Sequence, residues 1–424
     1  MRAGLWRNAE FLKFWGGETI SQFGTQVTTL ALPLTAILVL HASPGQMGVL
    51  TAATYLPFLV VTLFAGVWVD RHRRRPILIA ANVGRAVILA AVPLAAFAHV
   101  LRIEYLYLAV LLAGVLTVLF DLAYQSYLPS LVDRDDLVEG NSKLQVSASA
   151  AQVGGPGLGG VLVQFLTAPV ALLVDAVSYV VSAVSLVAIH AREPQPTATA
   201  PGERHLWQEI REGLRFTFGN PYLRAFALEA AAYNLAYVML DTIFLLYATH
   251  VLHLSPGVIG VTFAGGAAGS LVGSLLPNRL AQRFGIGVIV VWSVLIATAA
   301  PIVVPLAAGP RPLVIALLVA SFFVGGAGSI ICSIHVVSLR QSITPDRLLG
   351  RMNASYRFLT WGIVPVGALL GGYLGNAIGL RPTLFVAAAG LFASSLFIVF
   401  SPVPKLRGPG DVSNTDVAKF VGNS

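Results

Sequence analysis

Among the acidic residues inside long apolar stretches of this chain are Glu18, Asp121 and Asp241. A carboxylate so placed has little water to solvate it. It needs a cation, a hydrogen-bonding shell or a proton, which makes it a natural point for ion coupling or for holding a charged ligand. Polar neighbours accompany each acid. At 100° per residue, Glu18, Gln22, Thr25, Gln26 and Thr29 fall on one helical face within roughly a third of a turn. Thr117, Asp121, Tyr124 and Gln125 make a second stripe, Asn234, Tyr237 and Asp241 a third, and Ser329 with Ser333 a shorter fourth. A polar stripe on an otherwise apolar helix faces protein or water, not lipid. Hydrogen bonding between helices explains such stripes as well as a substrate cavity does, and Ser and Thr can bond their own backbone. The rings of Tyr124, Tyr233, Tyr237 and Trp361 could stack on an amphipathic substrate, although packing accounts for each alone. Asp241 leads as the proton carrier, with Glu18 second and Asp121 behind them. Asp175 reads as structural, while Glu229 and His335 fall off their helices' stripes.

The elements that must position these residues follow from composition. Apolar residues make up 56% of the chain and charged residues 11%, against about 25% charged in soluble domains. Twelve apolar runs approach the length of a membrane-crossing helix, near 12–40, 46–69, 77–98, 104–129, 140–167, 169–190, 221–249, 257–278, 285–308, 312–339, 349–377 and 382–402. The first carries no cleavage signal and reads as a retained helix. The alternation of a membrane β-barrel is absent from the pattern. The chain also repeats itself. VLHASPGQMGV begins at Val39 and VLHLSPGVIGV at Val251, an offset of 251 − 39 = 212 residues, half the 424-residue length. The same offset pairs Asn8 with Asn220, Phe14 with Phe226, Gln22 with Asn234, Arg71 with Arg283, Asn141 with Asn353, and Gly159–Gly160 with Gly371–Gly372. Six crossings per half return the chain to its starting side, so the halves share one orientation about an axis along the membrane normal. The expectation is an all-α membrane protein of twelve transmembrane helices in two six-helix bundles. These are residues 1–190 and 221–404, joined by a polar linker, 191–220, and followed by a tail, 405–424. Leu206 to Phe218 of the linker could form a short helix on the membrane face, but a plain connector is the simpler reading.

The formal charge of +8 does not point to nucleic acid. Threading the twelve spans from an inside N-terminus leaves only Arg102, Arg311 and Arg381 on the far side, so 27 − 3 = 24 of the Lys and Arg lie on or near one face. That asymmetry places both termini in the cytoplasm, and the expected location is the plasma (inner) membrane. Cys332 is the single cysteine, so an intrachain disulfide is excluded. The histidines lack metal-ligand spacing, and neither a nucleophile–base set nor a phosphate-binding loop is visible. No cofactor is expected, and the chain does not read as an enzyme.

Two motifs bring a family into view. GVWVDRHRRRP, Gly66 to Pro76, resembles the loop signature of the major facilitator superfamily; Gly66, Asp70, Arg71, Arg74 and Arg75 fit it, and Arg73 stands where the family usually has Gly. The resemblance implies a cytoplasmic gate built on Asp70 and these arginines, with Arg85 or Arg74 as partners for Asp121; a solvated positive-inside anchor is the alternative. GGPGLGG, Gly154 to Gly160, is similar to a helix motif enriched in the superfamily's exporters, through Gly155, Pro156, Gly159 and Gly160, with Ala151 where a further Gly is expected. SQFGTQVTTLALPL, LPSLVDRDDLVEGNSKLQ and ALLVDAVSYVVSA resemble the branch that includes enterobactin exporters and macrolide-efflux proteins. The resemblance implies a monomeric secondary transporter with three partners: the lipid bilayer, the proton and a small amphipathic substrate, such as a drug or siderophore-like product, expelled by alternating access. An uptake symporter and a non-transporting receptor on the same fold are the alternatives.

Overall fold

The computed structural model describes residues 5–190, 193 and 206–406. The side chains of Leu63, Val67, Asp70, residues 206–210 and Asp346 lie outside that description, as do most of the linker and the tail. Every regular element among the described residues is a helix. In order they are α1 (Ala9–Leu38), α2 (Pro44–Asp70), α3 (Arg74–Phe97), α4 (Ile103–Tyr127), α5 (Leu137–Leu166), α6 (Ala168–Val187), α7 (Leu206–Gly219) and α8 (Pro221–His250). Then come α9 (Pro256–Ser274), α10 (Pro277–Phe284), α11 (Ile286–Ala299), α12 (Val303–Leu306), α13 (Arg311–Ile343), α14 (Asp346–Gly362), α15 (Val364–Ile378) and α16 (Leu380–Val399). Ten helical stretches among the described residues are long and apolar enough to cross a membrane, and the chain is a multi-pass membrane protein. Helices α1 and α5 have the length, 30 residues each, but Glu, Gln, Ser, Thr and Gly dilute their hydropathy. That dilution separates these ten from the twelve runs read in the sequence.

The chain divides into two compact units: Met1–Ala200 with Ala248–Ala264, and Pro201–Tyr247 with Gly265–Ser424. The start of α9 thus belongs with the first unit. The 212-residue offset carries through to the helix ends, so α8 begins and ends at the positions equivalent to those of α1, and α16 at those of α6. The side chain of Asn8 caps α1 by accepting the backbone N–H groups of Glu10 and Phe11, both at 3.1 Å. Asn220 caps α8 in the same way, from Tyr222 at 2.9 Å and Leu223 at 3.1 Å, satisfying donors that a helix start leaves unpaired. The repeated VLH-x-SPG segment is a turn. Its His41 and His253 hold φ of 50° and 49°, and Ala42 and Leu254 donate N–H to the carbonyls of Ala36 and Ala248, each at 2.9 Å. Ser43 and Gln46 then form a reciprocal cap at the start of α2.

Each unit has its own apolar core. Phe11, Phe14, Leu78, Phe120, Tyr127 and Leu186 meet in the first, and Phe226, Val290, Leu339, Met352 and Ile398 in the second. Glycines let helices approach backbone to backbone. A Cβ on Gly159 of α5 would lie 3.2 Å from Cα of Val27 in α1, and one on its counterpart Gly371 in α15 would lie 3.0 Å from Cα of Met239 in α8. The second part of the linker is helical, as α7, and packs on α14. Gly213 sits against the backbone of Arg351 and the hydroxyl of Ser355, and Arg351 pairs with Glu212.

Candidate functional site

A cavity of about 470 Å³ opens inside the first unit. Helix α1 contributes Glu18, Ser21, Gln22, Thr25 and Gln26 to its wall; α4 contributes Thr117, Phe120, Asp121, Tyr124 and Gln125. Arg85 enters from α3 and Gln152 from α5, where the small side chains of Ala148 and Ala151 leave the space open. The polar stripes of α1 and α4 therefore line one space. Thr29 is the exception: it is exposed and bonds the carbonyl of Thr25. Thr117 likewise bonds its own helix, at Ala113.

Arg85 is the centre of the charge arrangement. Arg85 is 4% exposed, and its guanidinium lies between two rings, 4.3 Å from the centroid of Phe120 and 4.2 Å from that of Tyr179. It donates to Oδ1 of Asn82, whose amide donates in turn to Ser182 at 2.9 Å. Its charge acts on Glu18, Asp121 and Asp175, but no carboxylate among the described residues forms an ion pair with it. Glu18 is 7% exposed and accepts one hydrogen bond, from Nε2 of Gln22 at 3.2 Å. Its Oε2, Oε1 of Gln22 and Nε of Arg85 are buried without partners. Asp175, fully buried on α6, is held by the hydroxyls of Thr28 at 2.5 Å and Ser178 at 2.9 Å, and packs against Gly24. Tyr179 exchanges a hydrogen bond with Thr25 at 3.0 Å, joining α6 to the cavity wall.

The sequence grouped Arg85 with the loop arginines, but the structure sets it in the cavity. The loop arginines do other work within the unit. Glu193, in the linker, accepts the backbone N–H groups of Arg74 at 2.6 Å and Arg75 at 3.2 Å, capping α3 with a charge that suits a helix N-terminus. Arg75 donates to the carbonyls of Leu186 and Val187 at the end of α6, at 2.9 and 2.8 Å. Arg74 pairs with Glu193 at 3.8 Å rather than with Asp121. Arg71 is exposed, and a Cβ on Gly66 would meet nothing within 4 Å. Asp70 ends α2, but its side chain lies outside the described residues.

The α5 glycines are packing surfaces with two faces. Gly155 lies against Gln26 and Gly159 against Val27, both on α1. Gly160 faces the start of α9: a Cβ there would come within 2.6 Å of the Pro256 carbonyl and 2.9 Å of Cα of Gly260, which itself crowds the Pro156 carbonyl. Gln164, which the sequence reading passed over, completes that contact by accepting the N–H of Gly257 at 3.1 Å.

In the second unit, Asn234 donates to the Thr360 carbonyl at 2.9 Å, and Tyr237 stacks on Tyr233 with centroids 5.7 Å apart. Tyr233 bonds Ser329, while Ser333 and Trp361 are exposed. Asp241 is half-buried and has no hydrogen-bond or ion-pair partner among the described residues. Glu229, set aside in the sequence by its angle, is the more buried acid of α8, at 8% exposure. His335 is buried and bonded to the backbone of Pro277. Among the described residues, no group of three or more His, Cys, Asp or Glu is arranged to hold a metal ion.

A family model of the major facilitator superfamily, described as transmembrane secretion effector, matches residues 4–418. The chain belongs to this family. As a superfamily member it shares 28% identity over 410 residues with the multidrug efflux pump Tap of Mycobacterium tuberculosis, covering 95% of each chain. It is 23% identical to macrolide efflux protein A of Streptococcus pyogenes over 270 residues, 63% of this chain and 65% of that one. Among solved structures it resembles a bacterial homologue of the iron transporter ferroportin in an inward-facing state, with a TM-score of 0.71, 18% identity and coverage of 92% and 98%. The nucleoside transporter NupG gives 0.72, 12%, and 92% and 98%. These structural likenesses speak for the fold.

Proposed function

We propose that the protein is a secondary active exporter of small amphipathic compounds, driven by proton antiport and working by alternating access between two six-helix bundles. The observation that carries this reading is the cavity of the first unit. It sets two carboxylates and a buried guanidinium against aromatic rings, the combination that holds a molecule with an apolar body and a polar end. A carboxyl group in that setting can trade its proton for a ligand and so tie a gradient to a conformational equilibrium. The efflux activity in the names of Tap and macrolide efflux protein A supports the direction. Substrates would range from drugs to siderophore-like products.

In this reading twelve helices cross the plasma (inner) membrane, both termini and the linker are cytoplasmic, and the monomer is the working unit. The Lys and Arg asymmetry supports that topology. Glu18 and Asp121 move ahead of Asp241 as proton carriers, because they share one cavity and one buried cation. Asn234, Tyr237 and Asp241 serve the second half of the pathway. Asp70, Gly66, Arg71, Arg74 and Arg75 act in the cytoplasmic gate. In inverted membrane vesicles, an interior-acid gradient should drive accumulation of a fluorescent amphiphile, and a protonophore should abolish it. Accumulation confined to right-side-out vesicles would reverse the direction. Absence of gradient-dependent movement for every amphiphile tested would remove the transport reading.

A further inference from the structure

We propose that the cavity selects ligands presenting ammonium N–H donors, namely protonated primary or secondary amines, over quaternary ammonium ions of similar size. This rests on the efflux reading above and narrows its substrate class. Glu18 and Gln22 lie one turn apart on the same face of α1. Once Nε2 of Gln22 has donated to Oε1 of Glu18, the second oxygen of the carboxylate and the amide oxygen of Gln22 are left buried with no donor. A buried acceptor without a donor is destabilising, and more so when charged. A ligand bringing N–H groups relieves both acceptors; a ligand bringing only charge relieves neither.

Several neighbouring donors are already committed. Arg85 is fixed between the rings of Phe120 and Tyr179 and bonded to Asn82. The hydroxyls of Thr28 and Ser178 are committed to Asp175. That of Thr25 is shared with Tyr179. Charge points the same way. Glu18, Asp121 and the nearby Asp175 outnumber the one cation, Arg85, so the cavity favours a positively charged ligand. Aromatic side chains in the cavity wall, Phe120 and Tyr124, attract any cation, quaternary ones included. Discrimination therefore falls to the two acceptors, since a site built for a hydrogen-bonding group rejects the analogue that lacks it.

The test is displacement of a fluorescent amphiphile from the purified protein by one arylalkyl amine carrying zero to three N-methyl groups, with the matching neutral alcohol as control. Affinity should fall as N–H groups are lost, by about tenfold or more from primary to quaternary, the range of a hydrogen bond to a charged group. In Gln22→Met the primary amine should weaken toward the quaternary ion, whose own affinity stays put. Equal affinity of the primary and quaternary members in the wild type would overturn the proposal. So would a preference unchanged in both Gln22→Met and Glu18→Gln. Binding of the alcohol without any amine would overturn it while leaving efflux intact. If no member, charged or neutral, binds or is moved in vesicles, the efflux reading falls and this proposal with it.

Discussion

Helices α1 and α8 have the same length, the same Asn cap and the same turn after them, yet the chemistry around them differs. In the first unit a buried Arg85 sits among acids and lines a cavity. The position 212 residues on is Ala297, and no cation replaces it there. The second unit buries a different arginine, Arg340, at 7% exposure, where the first has Leu128. Arg340 lies 3.4 Å from the ring centroid of Tyr356 and donates to Asn353 at 2.7 Å, with no carboxylate paired to it among the described residues. The acids diverge as well: Glu18 in α1 and Glu229 in α8 are one residue out of register. The repeat transmits what backbone geometry requires, such as caps, turns and glycine contacts. Charged groups, which act through their neighbours, have been placed separately in each half.

The largest effect should come from exchanging the two buried arginines. Arg85→Met removes the one cation whose charge reaches Glu18, Asp121 and Asp175, and should abolish gradient-driven transport and cost about 3 kcal/mol, the lower end of the scale for breaking a buried ion pair, since Arg85 pairs directly with none of them. Arg340→Met strands no paired acid and should cost about 1–3 kcal/mol, as for an unmatched buried acceptor. Arg85→Lys should stay impaired, because an ammonium cannot fill the planar slot between two rings. Thermal unfolding in detergent and vesicle transport check all three; equal losses at the two arginines would erase the contrast.

The glycine contacts come next. Gly160→Val should destabilise by about 1–3 kcal/mol, the cost of overpacking, because its Cβ would meet the Pro256 carbonyl at 2.6 Å. Gly154→Ala and Gly157→Ala are internal controls: their nearest neighbours, Phe23 and Ala264, stand 3.5 and 3.8 Å from the new Cβ. Gly159→Ala and Gly371→Ala should lose similar stability, since each faces an α-carbon at the equivalent place; a large difference would break the structural repeat there.

The smallest effect lies between α5 and α6. Thr167 holds φ of 85°, where its counterpart Gly379 holds 89°. Thr167→Gly should raise stability by about 1 kcal/mol by relieving a left-handed conformation costly for a β-branched residue. Gly379→Thr should lower it by a similar amount, and unfolding midpoints of both variants read this directly.

Much of this was legible in the sequence because it is local. The 212-residue repeat needs only identity at a fixed offset, and the stripes of α1 and α4 need only helical periodicity. What escaped depends on which helices touch. Arg85 reads in the chain like the arginines of the preceding loop, until α3 is packed against α4 and α6 and its guanidinium falls between Phe120 and Tyr179. Glu193 looks like linker, and only the fold brings it 119 positions back to the start of α3. Gln164 looks like a polar residue near a helix end until α9 presents an N–H to it. The polarity that marks α1 and α5 as cavity-lining also kept them out of the ten plainly apolar stretches.

The proposed efflux mechanism puts proton coupling in the cavity of the first unit. The most direct measurement is the initial rate of accumulation driven by an interior-acid gradient in inverted vesicles, at a substrate concentration saturating for each variant. Wild type, Glu18→Gln, Asp121→Asn and Asp241→Asn would be compared at matched protein levels. Glu18→Gln or Asp121→Asn should lose the gradient-dependent part of the rate while exchange without a gradient persists, and Asp241→Asn should be affected less. Wild-type gradient-driven rates in both cavity variants, with coupling lost only in Asp241→Asn, would contradict this mechanism.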